Sequence, residues 1–191
     1  SFNHEYRFKN KKGEYVWLLN RGKVVQRDEN GIAIRVVGTH TDISERKLIE
    51  EQLKLAKDNL NTTFEAITEG IVLQDLEGKI VECNPAAEQI LGLTRELMEG
   101  KKSIDSSWRA IHEDGTDYPG NTHPAMRTLA TGESIFNDIM GVHKPNGELT
   151  WININAVLLP NQRGVVCSFA DITEAKKNEQ TIFTREKWIR S

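Results

Sequence analysis

A short phrase occurs twice in this chain. Gly13-Glu14-Tyr15-Val16-Trp17 runs on to Asp42-Ile43-Ser44-Glu45, and Gly147-Glu148-Leu149-Thr150-Trp151 runs on to Asp171-Ile172-Thr173-Glu174. A period of about 130 residues is the size of a small domain and too long for a solenoid repeat. The chain is therefore expected to hold parts of two copies of one fold. The copies are unequal, because 12 residues precede Gly13 whereas more than 100 separate Asp42 from Gly147. The first copy reads as the closing strands of a domain whose earlier part lies upstream of Ser1, as in an excised fragment.

Length and composition agree with that division. A chain of 191 residues, 38% of them hydrophobic, has material for one complete small domain plus a fragment. Lys and Arg number 25 against 28 Asp and Glu, a net charge of −3, which offers no electrostatic footprint for nucleic acid. Cys83 and Cys167 lie far apart without metal-ligand spacing, and thiols without a secretory signal predict a reduced, cytoplasmic setting. No run approaches the ~20 apolar residues of a membrane span, so neither a bound metal nor membrane contact is expected of this stretch.

Residues 5–9, 15–26 and 32–42 have strand character and are separated by Asn10-Lys11-Lys12-Gly13 and Asp28-Glu29-Asn30-Gly31, which are turn signals. An antiparallel meander is predicted. From Ser44 the residues become helix formers with neither Gly nor Pro, and the Ser44 hydroxyl is expected to cap the first free amides. Ile49, Leu53, Ala56, Leu60, Thr63 and Ile67 recur at alternating fours and threes, the seam of a two-stranded coiled coil. A homodimer joined through Ile49, Leu53, Ala56 and Leu60 is expected, the alternative being one amphipathic helix laid on its own domain.

Strands are predicted at 70–75 and 79–82 as a hairpin, followed by a helix that Asn84 caps, Pro85 opens and Gly92 closes. Residues 94–121 read as irregular, with short helical turns. A helix follows over 122–131, then strands over 135–143, 149–159 and 164–172, and an exit helix from Thr173 whose pattern echoes the helix after Ser44.

Two strands, a block of short helices and three further antiparallel strands make an α+β domain. Gly70-Ile71-Val72, Cys83-Asn84-Pro85-Ala86-Ala87, Gly147-Glu148-x-x-Trp151 and Asp171-Ile172-Thr173-Glu174, in that order, resemble the PAS domain with its C-terminal PAC motif. Asp42-Ile43-Ser44-Glu45-Arg46-Lys47 resembles the same motif closing a preceding PAS domain. The resemblance implies a PAS fold, a five-stranded antiparallel sheet with short helices on one face, flanked by long signalling helices. It divides the chain into closing strands (1–43), a linker helix (44–67), a complete PAS domain (68–173) and the start of an exit helix (174–191). It also implies a sensory module that detects a small ligand or partner and relays its state to an output domain of the same chain, a histidine kinase or a cyclic-dinucleotide enzyme. A ligand-free spacer that only dimerises and transmits is the alternative.

Along the strand at 149–159, Ile152, Ile154, Ala156 and Leu158 alternate with Trp151, Asn153, Asn155 and Val157, so the aliphatic set is expected to face the helices. The pocket candidates are then Ile152, Ile154 and Met140 from the strands, with Trp108, His112, Tyr118, His123 and Met126 from the helix block. Asp171 is expected to accept from amides at the start of the exit helix, or to pair with a base, and so to join strand to helix together with Trp151 and Thr173; Asp42 and Ser44 are the counterparts in the first copy. Haem is a minor alternative, with His123 or His112 as axial ligand by resemblance to haem-binding relatives. Flavin photochemistry of the light-sensing class needs an Asn-Cys-Arg-Phe-type helix that this chain lacks, and Cys83 and Cys167 read as small buried residues. An enzyme would need Cys83 or Ser168 as nucleophile and His112 or His123 as base. No nucleophile elbow, phosphate loop or zinc-binding helix motif accompanies them, so no catalytic residue is expected.

Overall fold

Turns closed by glycine set out the first part of the chain. Gly13 donates its N–H to the Asn10 carbonyl at 3.0 Å with φ 86°, a conformation that costs glycine nothing, while Asn10 Oδ1 accepts the Lys12 and Glu14 amides. Gly31 repeats the arrangement on Asp28. The strands they delimit, β1 (Phe2–Lys9), β2 (Tyr15–Arg27) and β3 (Ala33–Asp42), form an antiparallel sheet in the order β1-β2-β3. This computed structural model describes residues 1–102, 109–160 and 163–189. Its contacts divide into two compact units, Ser1–Asn61 and Thr62–Ser191.

In the first unit Leu19 and Ile43 are buried, whereas Phe8, Ile34, Val36 and Val37 are more than half exposed. The helix α1 (Ser44–Ala66) follows, and it buries none of its residues. Ile49, Leu53, Ala56 and Leu60 are all exposed, Leu53 and Leu60 at 70% and 71%. A helix laid along its own domain would bury such a stripe.

The second unit holds β4 (Gly70–Gln74), β5 (Ile80–Cys83), α2 (Pro85–Leu91), α3 (Arg95–Met98), β6 (Arg109–Ile111), a 3₁₀ turn (Gly120–Thr122), α4 (Pro124–Thr131), β7 (Ile135–His143), β8 (Leu149–Leu158), β9 (Val165–Asp171) and α5 (Thr173–Ile189). Its strands form one antiparallel sheet in the order β5-β4-β9-β8-β7-β6, an α+β fold with short helices on one face. The sheet has six strands where five are predicted. The extra one, β6, falls in the segment read as irregular, and three residues are too few to display an alternation. It is made by tertiary partners instead: Ala110 lies opposite Val142, and the Ala110 carbonyl accepts the Tyr118 amide at 2.9 Å.

The alternation in β8 is realised as predicted. Ile152, Ile154 and Ala156 are buried, facing Met140, Phe169 and Cys167 across the neighbouring strands, while Trp151, Asn153, Asn155 and Val157 lie on the opposite face. α2 covers the inner face with Ala87, Ile90 and Leu91, and α4 with Pro124, Ala125 and Thr128. Each large aliphatic side chain taken from water there contributes about 1.5–3 kcal/mol before entropy is counted. A bulge in β7 between Ile135 and Asp138, with Asn137 at φ 57°, turns Asp138 toward the face that carries Tyr118 and Arg127.

Candidate functional site

The second unit contains a cavity of about 70 Å³ between α4 and the inner face of the sheet. Val72, Ile80, Met140, Val142, Ile152, Ile154, Cys167 and Phe169 supply the sheet wall, Leu91, Pro124 and Ala125 the helix wall, and Gln74, Ala110, Arg109 and His123 the remainder. Of the pocket candidates, His123, Met140, Ile152 and Ile154 line it. Trp108 lies outside the described residues. Cys167, Phe169 and Val142 line it without having been singled out, although Val165, Cys167 and Phe169 show the period of a strand with one buried face.

Three candidates stand elsewhere. Met126 points off the inner face of α4, one residue past Ala125, and its sulfur packs over the β4–β5 turn, where a Cβ on Gly78 would fall 2.4 Å away. Tyr118 is buried but turned from the cavity, because its bond to Ala110 fixes it opposite β6 and its hydroxyl donates to both Asp138 oxygens at 3.2 Å. His112 stacks on the Tyr118 ring, 3.9 Å between centroids, and does not line the cavity. These rings form a second layer behind His123, whose Nε2 is 3.0 Å from the Tyr118 carbonyl and whose ring meets that of Tyr118 edge-on at 5.1 Å.

Burial decides the electrostatics here. Desolvation holds the His123 imidazole below its ordinary 6.5, against the opposing pull of the Tyr118 carbonyl and Asp138, so the ring is neutral near pH 7. Burial pushes the Cys167 thiol up to about 12, and also raises Cys83. Neither is a thiolate nucleophile. Ser168 accepts from Asn155 Nδ2 on the outer face of the sheet, opposite the histidines on the inner face, so the nucleophile–base pairing weighed above is not assembled.

The residues do not fit haem or flavin. Pockets that enclose drug-sized ligands measure roughly 300–1,000 Å³, and a cavity of 70 Å³ is far smaller. The Nε2 of His123 is already bonded to Tyr118, and His112 is stacked on the Tyr118 ring and does not line the cavity. Among the described residues no group of three or more His, Cys, Asp or Glu side chains is placed to hold a metal ion.

The second element of the site is the joint between the last strand and the helix that follows it. Asp171 Oδ1 accepts the Thr173 amide at 2.8 Å, Thr173 Oγ1 accepts the Trp151 amide at 2.9 Å, and the Trp151 carbonyl accepts the Ile172 amide at 2.8 Å. The first unit repeats this atom for atom: Asp42 Oδ1 takes the Ser44 amide at 2.9 Å, Ser44 Oγ the Trp17 amide at 2.8 Å, and the Trp17 carbonyl the Ile43 amide at 2.8 Å. The expectation that Ser44 caps its own helix is corrected. Its hydroxyl, like that of Thr173, reaches sideways to the neighbouring strand, because the tryptophan amide there would otherwise lose its partner where the ladder ends.

A lysine completes each joint. Lys47 pairs with Glu5 of β1 at 2.7 Å and lies 5.2 Å over the Trp17 ring; Lys176 pairs with Glu113, just after β6, and with Glu179 at 3.5 Å. Hydrogen bonding to these carboxylates raises both lysine pKa values. The acid comes from a strand, β1, in the first unit and from the turn after β6 in the second, a difference that the sequence pattern does not signal.

Nor does it signal the full role of Asn84. Fully buried, its Oδ1 accepts the Ala87 amide as the predicted cap and also the Ile71 amide of β4 at 2.8 Å. Its Nδ2 donates to the Glu69 carbonyl at 2.9 Å and lies 3.3 Å from the Phe64 carbonyl in the last turn of α1. One amide thus joins the incoming helix, the first strand of the sheet and α2.

Comparison with known proteins follows the same division. A family model described as PAS domain matches residues 68–174, and one described as PAS fold matches residues 1–40. A probable diguanylate cyclase of Escherichia coli is 31% identical over 107 residues, 46% of this chain and 10% of that protein. A methyl sulfide methyltransferase-associated sensor of Methanosarcina acetivorans is 25% identical over 196 residues, 98% of this chain and 19% of that protein. The chain thus spans between a tenth and a fifth of the length of these two relatives. Among solved structures, an RNA-binding light-oxygen-voltage receptor aligns with TM-score 0.54 at 10% identity, covering 99% of this chain and 81% of that one. The PAS domain of an HTR-like protein from Haloarcula marismortui aligns with TM-score 0.51 at 16% identity, covering 66% and 99%. These two likenesses are of fold.

Proposed function

The chain belongs to the PAS domain family, and we propose that its complete domain, residues 68–173, is the sensory part of a larger signalling protein, detecting a small ligand in its cavity and passing the result to the helix that leaves it. One observation carries this reading. Strand β8 lines the cavity with Ile152 and Ile154, and the residue beside them, Trp151, is bonded to the start of α5 through both its N–H and its carbonyl. A shift of β8 that accommodates a ligand moves the first turn of α5 with it, because the strand and helix share those bonds.

The same reading makes the joint at Asp42, Ser44 and Trp17 an earlier copy of the relay, and α1 the helix that carries its state onward. It makes the exposed stripe of Ile49, Leu53, Ala56 and Leu60 the seam of a homodimer. The relatives, one a probable diguanylate cyclase and one a sensor, support an output domain in the same polypeptide, which this reading takes to be a histidine kinase or, as the first relative's name suggests, a cyclic-dinucleotide enzyme. In this account the domain itself senses and does no chemistry. The modest volume of the cavity favours a second reading, a spacer whose core is filled by its own side chains.

Hydrogen exchange distinguishes the two. Ile154→Phe, which crowds the cavity from β8, is expected to change the exchange rates of the amides in the first two turns of α5 in the 191-residue chain, and Thr173→Val is expected to suppress that response. Unchanged α5 amides in Ile154→Phe, with β8 itself perturbed, would leave only the spacer.

A further inference from the structure

The walls of the cavity restrict what can enter it, and we propose, building on the sensory reading above, that its ligand is a small, uncharged, apolar molecule of about two to four non-hydrogen atoms. Size is the first constraint. The 70 Å³ available is more than twice the ~30 Å³ share of one water and about half of the ~150 Å³ apolar cavity known to take up benzene or xenon.

Chemistry is the second. Hydrocarbon from Val72, Val142, Ile152, Ile154 and Phe169 dominates the walls, and few polar side chains reach them. His123 spends Nε2 on the Tyr118 carbonyl, Gln74 makes an interaction of its own although its buried Oε1 accepts no hydrogen bond, and Arg109 is exposed at the rim. The Cys167 thiol is buried and protonated. An ion entering this space would lose its hydration and meet no counter-charge beyond the exposed Arg109 at the rim, and a molecule with several hydrogen-bonding groups would find at most the Gln74 Oε1 acceptor for them. A neutral apolar molecule loses neither and gains contacts that the bare walls lack.

The space is also specified by residue choice. Close packing ordinarily leaves few voids larger than a water molecule. Here two buried alanines, Ala110 on β6 and Ala125 on α4, line the gap, where a bulky side chain would take up the space.

The test is a ¹³C-methyl NMR titration of the 191-residue chain with dissolved xenon and, separately, with acetate, which is small enough to enter but fully charged. Xenon is expected to shift the methyl signals of Val142, Ile152 and Ile154 saturably while those of the exposed Leu53 and Leu60 stay in place; acetate is expected to shift none of them. Ala125→Leu and Val142→Phe fill the space from opposite walls, and each variant that keeps native methyl dispersion is expected to lose the saturable response. Acetate shifting the cavity methyls would overturn the ligand class while leaving the sensory reading in place. An undiminished xenon response in both filled variants would put the binding elsewhere and overturn the assignment. If neither probe moves the methyls the class falls, and the sensory reading is then decided by the α5 exchange measurement.

Discussion

Single side chains in this protein do more than their local sequence suggests, and Asn84 shows why. Asn-Pro at the head of a helical run announces a cap, and the cap is there, but the bonds to Ile71 and Glu69 depend on segments 13 to 15 residues away that no local pattern reports. Asn84→Ala is expected to cost about 2–4 kcal/mol, the loss of the cap plus the stranding of buried backbone groups, read as a lower denaturant midpoint. His123 makes a different prediction. Its folded-state pKa lies below 6.5, so between those values the unfolded chain binds a proton that the folded chain does not. Stability is therefore expected to rise with pH through that window and to be lost on acidification below about pH 6.5. His123→Gln is expected to flatten this part of the profile of denaturation midpoint against pH. A profile unchanged by the substitution would assign the dependence to another group.

At the scale of elements, legibility tracks how much of an element's stabilisation is local. β8 was readable because its ten residues alternate cleanly, and the buried set followed from the period alone. β6 was not, because its three residues are held by Val142 and Tyr118 and carry no period of their own. For the same reason the sequence does not place Tyr118 and His112 behind His123: the Tyr118 hydroxyl is held by Asp138, which the β7 bulge brings within reach, and His112 stacks on the Tyr118 ring. α1 was legible in sequence, and its exposed stripe carries the dimer expectation. Leu53→Glu is expected to shift the light-scattering mass of the 191-residue chain from dimer to monomer without lowering thermal stability of the sheet of residues 68–173, since Leu53 belongs to the other unit and is 70% exposed. A monomeric mass in both proteins would remove the seam from the account.

Across the whole chain, the repeated phrase proves to encode a connection. In both copies an aspartate, a hydroxyl residue and a tryptophan backbone bind the end of a sheet to the head of a helix, and a lysine one turn on ties that helix to an acid from the sheet side. The copies differ in what lies under the joint. In the second, the strand bearing the tryptophan also lines a cavity; in the first unit the buried residues are Leu19 and Ile43. Among the described residues no helix is long and apolar enough to cross a membrane. The central claim is that cavity and exit helix are energetically coupled through β8. A double-mutant cycle tests it most directly: Ile154→Val at the cavity, Thr173→Val at the joint and the pair together, with stabilities taken from hydrogen exchange of β8 amides in the 191-residue chain. The account predicts an interaction energy of about 0.5–3 kcal/mol, whereas effects that add to within about 0.3–0.5 kcal/mol would contradict it.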